Sequence, residues 1–131
     1  MFNERAWEIH ENAMAHGWWE ENRTFPEIVA LCHSELSEAL EEYRNGRPMV
    51  YCVNPDCEIL RSRGTSEDTC CNVCGFRDGT AKPEGIATEM ADCIIRILDW
   101  AGAEGIDMDA IIRAKMDYNK TRPYKHGGKV C

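Results

Sequence analysis

The chain has 131 residues, 44% hydrophobic and 29% charged, a length and balance that suit one folded domain (residues 1–131) with a real core and exclude a disordered chain. Its formal net charge of −8 argues against a general binder of nucleic acid or of anionic membranes, but not against small anionic ligands held by metals or local basic clusters. The N-terminal stretch is charged and aromatic, with no apolar signal region, and no apolar run approaches the ~18 residues of a membrane span, so the expected compartment is the cytoplasm.

Residues 4–22, ERAWEIHENAMAHGWWEEN, carry the pattern of a first helix, weakened near its end by Gly17. A second begins at TFPE, with Thr24 as N-cap, Glu27 as its capping-box partner and Pro26 in the first turn; it should run to about Asn45 and stop at Gly46. Residues 47–82 break helical periodicity, and a third helix then starts near Glu84 and stops by Gly105. GIDMDAIIRAKMDYNKTRP supplies a fourth, with Asp107 as N-cap and Pro123 beyond its end, followed by a basic, Gly-rich tail. The expected fold class is therefore all-α, a four-helix bundle with an insert (residues 50–80) between the second and third helices.

Eight cysteines need an account, and in a reducing compartment clustered cysteines more often bind metal than form disulfides. The insert pairs C-x4-C (Cys52, Cys57) with C-x2-C (Cys71, Cys74) followed by Gly75, the ligand spacing of a zinc-ribbon-like tetrahedral Zn²⁺ site, with Cys70 as the alternative to Cys71. Four thiolates leave no open position, so this zinc should be structural. An insert so poor in apolar residues has no core of its own, and zinc binding worth on the order of 10–16 kcal/mol would order it as a cap on one end of the bundle. Cys32 and Cys93 fall on predicted helices as packing residues, and Cys131 has no assigned role.

The second helix presents a puzzle in HSELSEALEEYR. At roughly 100° per residue, Ile28, Leu31, Cys32, Leu36, Ala39 and Tyr43 share one face, with Glu35 near its middle, Glu42 beside it and Glu38 at its edge. On the third helix Ile86, Met90, Cys93, Ile94, Ile97 and Ala101 form an apolar stripe flanked by Glu89 and Asp92. A single such acid reads as an edge position reaching water. Two i, i+3 pairs on consecutive helices read differently, because neighbouring buried carboxylates repel and need a compensating charge. Oxygen ligands without histidine suit Mg²⁺ or Mn²⁺ better than zinc or iron, and such ions commonly keep positions open for phosphate oxygens. Arg122 and Lys125, beside Pro123, His126 and two glycines, look like a phosphate-clasping segment.

Together, 35-ELSE-38, 89-EMAD-92 and 115-KMDYNKTRPYKHGGK-129 resemble the MazG-like nucleotide pyrophosphohydrolases of the all-α nucleoside-triphosphate pyrophosphatase superfamily, over nearly the whole chain except the cysteine insert. The resemblance implies Mg²⁺-dependent cleavage of a nucleoside triphosphate between its α- and β-phosphates, giving monophosphate and pyrophosphate. It implies Glu35, Glu38, Glu89 and Asp92 as metal ligands, one of them orienting the attacking water, and Lys115, Asn119 and Arg122 as phosphate contacts. It also implies a homodimer or homotetramer. The insert departs from the family pattern, which joins these helices by a shorter connection.

Two other readings compete. A zinc-ribbon interaction module would leave the twin acidic motifs without a purpose, and a catalytically silent nucleotide sensor would share the fold and the site. Trp7, Trp18 and Trp19 offer stacking surfaces for a base, but aromatic core is the plainer reading, and His33 likewise lies off the motif. For the insert, metal analysis of protein purified without added zinc should find about one Zn²⁺ per chain. Four titratable thiols and no metal would remove the site.

Overall fold

A computed structural model of the chain describes residues 1–52 and 82–123, with only the backbone described at Cys52. The expected zinc ligands Cys57, Cys71 and Cys74, the alternative Cys70, the side chain of Cys52, and Lys125 of the basic tail lie outside the described residues. The elements run α1 (Phe2–Ala15), α2 (Phe25–Arg44), β1 (Tyr51–Cys52), β2 (Pro83–Glu84), α3 (Ile86–Ala103) and α4 (Met108–Lys120). The two short strands are antiparallel, with Tyr51 opposite Glu84 and Cys52 opposite Pro83. The described chain is thus mostly helical, as expected, and among the described residues no helix is long and apolar enough to cross a membrane.

Local chemistry sets the helix boundaries. The Thr24 N–H and hydroxyl both donate to Glu27 Oε2, at 2.6 and 2.8 Å, tying down the start of α2. Asp107 accepts from the Ala110 N–H at 2.9 Å and starts α4. The first helix is shorter than its pattern suggested, ending at Ala15 rather than reaching Asn22. Gly17, read as a weak point within a helix, is its terminator: at φ 78° it lets its own N–H reach the Met14 carbonyl (3.0 Å) and the Trp18 N–H reach that of Ala13 (3.1 Å). The same pair of bonds closes α2 at Gly46 and α3 at Gly105, where stops were expected.

The chain divides into two compact units, residues 1–22 with 98–131 and residues 23–97, and the division falls inside α3. In the first unit the N-termini of α1 and α4 cap each other. Asp109 accepts from the N-terminal ammonium (3.0 Å) and from the N–H groups of Phe2 and Asn3 (3.1 Å each), while Asn3 Oδ1 accepts from the Asp109 N–H (3.2 Å). These donors hold the Asp109 carboxyl down at about 2, as expected for an anion at a helix N-terminus. Ala6, His10, Leu98 and Ala101 are buried. His10 Nδ1 lies 2.8 Å from Asp99 Oδ1, the Trp19 indole N–H donates to both Asp99 oxygens (2.9 and 3.1 Å), and the His10 and Trp19 rings meet edge to face at 5.0 Å. Trp19 therefore serves a buried polar cluster, whereas Trp7 and Trp18 are 58% and 57% exposed and do not form the aromatic core expected of them.

In the second unit α2 faces the first part of α3. Cys32 and Cys93 are packing residues here, with hydrogen-bonded thiols, and burial pushes the Cys32 thiol up. The short ladder is joined to both helices: the Tyr51 hydroxyl donates to Glu42 Oε2 at 2.8 Å, and the Ala87 N–H donates to the Met49 carbonyl at 2.9 Å.

Within the first unit, a Cβ on Gly102 would sit 2.6 Å from the Ala6 carbonyl oxygen and 2.8 Å from His10 Cβ. Backbone cannot retreat as a side-chain tip can, so Gly102→Ala should lower the unfolding free energy by about 1–3 kcal/mol despite its better helix propensity. Chemical denaturation of the two proteins measures the difference.

Candidate metal centre

The i, i+3 and i, i+7 geometry of α2 places Ile28, Glu35, Ala39 and Glu42 along one line, flanked by Leu31, Cys32 and Glu38. That line is the one turned inward: Ile28, Glu35 and Ala39 are buried, and Glu35 is only 5% exposed. Leu36 and Tyr43, expected on the core face, are exposed together with Val29 and Leu40. The helix is rotated so that the carboxylate, not the neighbouring apolar stripe, points in. On α3 the same rotation buries Glu89 (7% exposed) and Cys93, while Met90, Ile94 and Ile97 are exposed.

These rotations bring acids from two helices together. Glu35, Glu38 and Glu89 each offer a carboxylate oxygen within 4.8 Å of the others. Glu38 is the exposed member, with the Ser34 hydroxyl donating to its Oε1 at 3.2 Å. Asp92 is not part of this group of three. It stands one turn along α3 from Glu89, half-buried, and its carboxyl is raised by burial and by Glu35, against the lowering effect of Arg96 and Lys82.

Electrostatics register the crowding. Glu89 is pushed up from its ordinary value of 4.5 to about 7, first by burial, then by Glu38, Asp92, Glu35 and Glu84. Burial and four neighbouring carboxylates thus disfavour its charged form until about neutral pH. Glu35 has its own counter-ion: Arg96 Nε and Nη2 both reach Glu35 Oε1 at 2.5 Å. On the rim, Lys82 Nζ pairs with Glu84 Oε1 at 2.6 Å.

Of the other site residues expected from sequence, Lys115 and Asn119 lie exposed on α4 and Arg122 just beyond it. The Lys115 ammonium stands 5.4 Å from the Tyr118 ring centre. His33 is exposed. Glu42, beside Glu35 on the inward face, takes the Tyr51 hydroxyl and so anchors β1 to α2. Sequence reading missed Arg96. Its signal was present: an arginine within the apolar IIRIL run, on the helical line of Glu89 and one turn from Asp92, has to meet an anion.

The donor set fits a hard divalent cation. It offers three convergent carboxylates, with no thiolate or imidazole in the cluster among the described residues, and the raised Glu89 carboxyl is a group whose charge a cation would favour. Comparison with protein-family models, with curated proteins and with solved structures finds no match to this chain.

The raised Glu89 carboxyl fixes the sign of a pH effect. The stability it contributes is fully present below 4.5 and is lost as pH rises through about 7, where the folded state must ionise it. Without divalent cations, the melting temperature should fall across that window. Glu89→Gln, neutral throughout, should flatten the fall and melt several degrees higher than the parent above it, as read by thermal scans at a series of pH values.

Proposed function

We propose that the chain is a Mg²⁺-dependent nucleoside triphosphate pyrophosphohydrolase, cleaving between the α- and β-phosphates to give monophosphate and pyrophosphate. The observation that carries this reading is the convergence of Glu35, Glu38 and Glu89 from the two acidic motifs, with Asp92 one turn away. The tail motif KMDYNKTRPYKHGGK and the resemblance to MazG-like enzymes supply the substrate class.

On this reading Glu35, Glu38, Glu89 and Asp92 hold Mg²⁺, with Mn²⁺ as a substitute. When bound, the metal supplies charge neutralisation and polarisation of the phosphoryl group. Glu89 gives up its proton on loading, so affinity for the cation rises with pH through about 7. Glu38, the solvent-facing member, orients the attacking water and accepts its proton. Lys115, Asn119, Arg122 and Lys125 are assigned to the phosphates. Cys52, Cys57, Cys71 and Cys74 hold a structural Zn²⁺. The exposed apolar lines Val29, Leu36, Leu40 and Tyr43 on α2, and Met90, Ile94 and Ile97 on α3, support self-association as a homodimer or homotetramer.

The test is a panel of standard, deoxy- and modified nucleoside triphosphates incubated with Mg²⁺ and assayed for monophosphate and pyrophosphate. At least one should turn over, and Glu38→Gln should lower kcat by roughly 10²–10⁴-fold. Full activity in Glu38→Gln, or no turnover across the panel, defeats the assignment.

A further inference from the structure

Arg96 has no part in the reading of the acidic motifs, yet it stands among them. It lies on the helical line of Glu89, one turn beyond Asp92, and its side chain is 31% exposed whereas that of Glu35 is 7% exposed. Its Nε–H donates to Glu35 Oε1 at 2.5 Å, and its Nη2 stands 2.5 Å from the same oxygen as an ion pair. Among the described residues it makes no other hydrogen bond, and none of them takes the donors on Nη1. Its charge reaches past Glu35 to lower Asp92. A guanidinium that only neutralised a buried carboxylate would do so best in a bidentate pair, one donor to each oxygen. Here both nitrogens sit on one oxygen, which leaves the other oxygen of Glu35 for a cation and, among the described residues, leaves donors on a side chain that is part exposed without a partner.

Resting on the pyrophosphohydrolase reading, we infer that Arg96 is a substrate-binding residue of the acidic centre, its free donors taking a phosphate oxygen of the triphosphate while Glu35 holds its fork in place. A triphosphate entering a ring of four carboxylates meets repulsion that bound cations offset in part. A planar donor fork fixed beforehand adds a directed, charge-assisted contact at little entropic cost. Lys82, the other cation acting on Asp92, is committed to Glu84 and is far more exposed.

This role makes two opposite demands on one substitution. Arg96→Gln removes a positive charge beside a metal ligand, so Mn²⁺ alone, titrated by electron paramagnetic resonance, should bind as tightly as to the parent or more tightly. The same variant should bind a non-hydrolysable α,β-imido nucleoside triphosphate with Mg²⁺, measured by calorimetry, at least about tenfold more weakly. Arg96→Lys keeps the charge against Glu35 but loses the fork. It should leave Mn²⁺ binding unchanged and weaken the analogue by a smaller factor, which keeps the test open if the glutamine variant does not fold. Unchanged analogue affinity in both variants overturns the inference. So does weakened Mn²⁺ binding in step with the analogue, which would make Arg96 a mere holder of Glu35. If the parent protein binds neither Mn²⁺ nor the analogue, the pyrophosphohydrolase reading itself has failed and this inference with it.

Discussion

The second unit is organised around one costly feature, a carboxylate placed where a core residue would be. Glu35 sits mid-line on the inward face of α2, between Ile28 and Ala39. Its ionised form needs a partner, and Arg96 provides it from α3. Two helices are thereby fixed face to face by a charge pair rather than by apolar interdigitation alone. Replacing such a pair with hydrophobic residues is commonly neutral or stabilising, so stability gives no reason for keeping it. A function for the carboxylate does.

The neighbouring acids follow the same logic. Once Arg96 has met Glu35, Glu89 remains buried beside Glu38 and Asp92, with Lys82 near enough to feel its charge but paired with Glu84, and its carboxyl is pushed up to about 7. The centre therefore crowds like charges, the condition that a bound cation would relieve under the proposed function. Around it the structure spends further polar contacts on position. Tyr51 ties β1 to Glu42 on α2, and β2 at Pro83–Glu84 leads into the helix that carries Glu89 and Asp92. The first unit likewise gathers donors around a carboxylate, with Asp99 collecting His10 and Trp19, and Asp109 capping α1.

Much of the fold was legible because it is local. The Thr24–Glu27 box, the Asp107 cap and the stops at Gly46 and Gly105 depend on residues within one turn, and the structure has each where the sequence placed it. Gly17 was misread for an instructive reason. Helical periodicity continues through HGWWEEN, and only the φ of 78° shows that the chain has already turned. The acidic motifs were legible as spacing, and three of their four residues converge as spacing required.

What spacing could not supply was rotation and partnership. Leu36 and Tyr43 lie only about 100° and 80° around the helix from Glu35, so a stripe centred on either line satisfies the same pattern. Packing chose the line with the carboxylate and left the apolar line outside. The partners of the buried polar groups are equally non-local: Arg96 is 61 residues from Glu35, and Asp99 is 89 from His10. By itself, then, the sequence determined the helices, their ends and the type of chemistry, since these follow from side chains a turn apart. Only the tertiary structure decided which face turned inward, that Glu42 takes the Tyr51 hydroxyl, and that Arg96 is the partner of Glu35. Those outcomes depend on groups meeting across helices: a local pattern can show that a buried charge needs a partner, but not which residue supplies it.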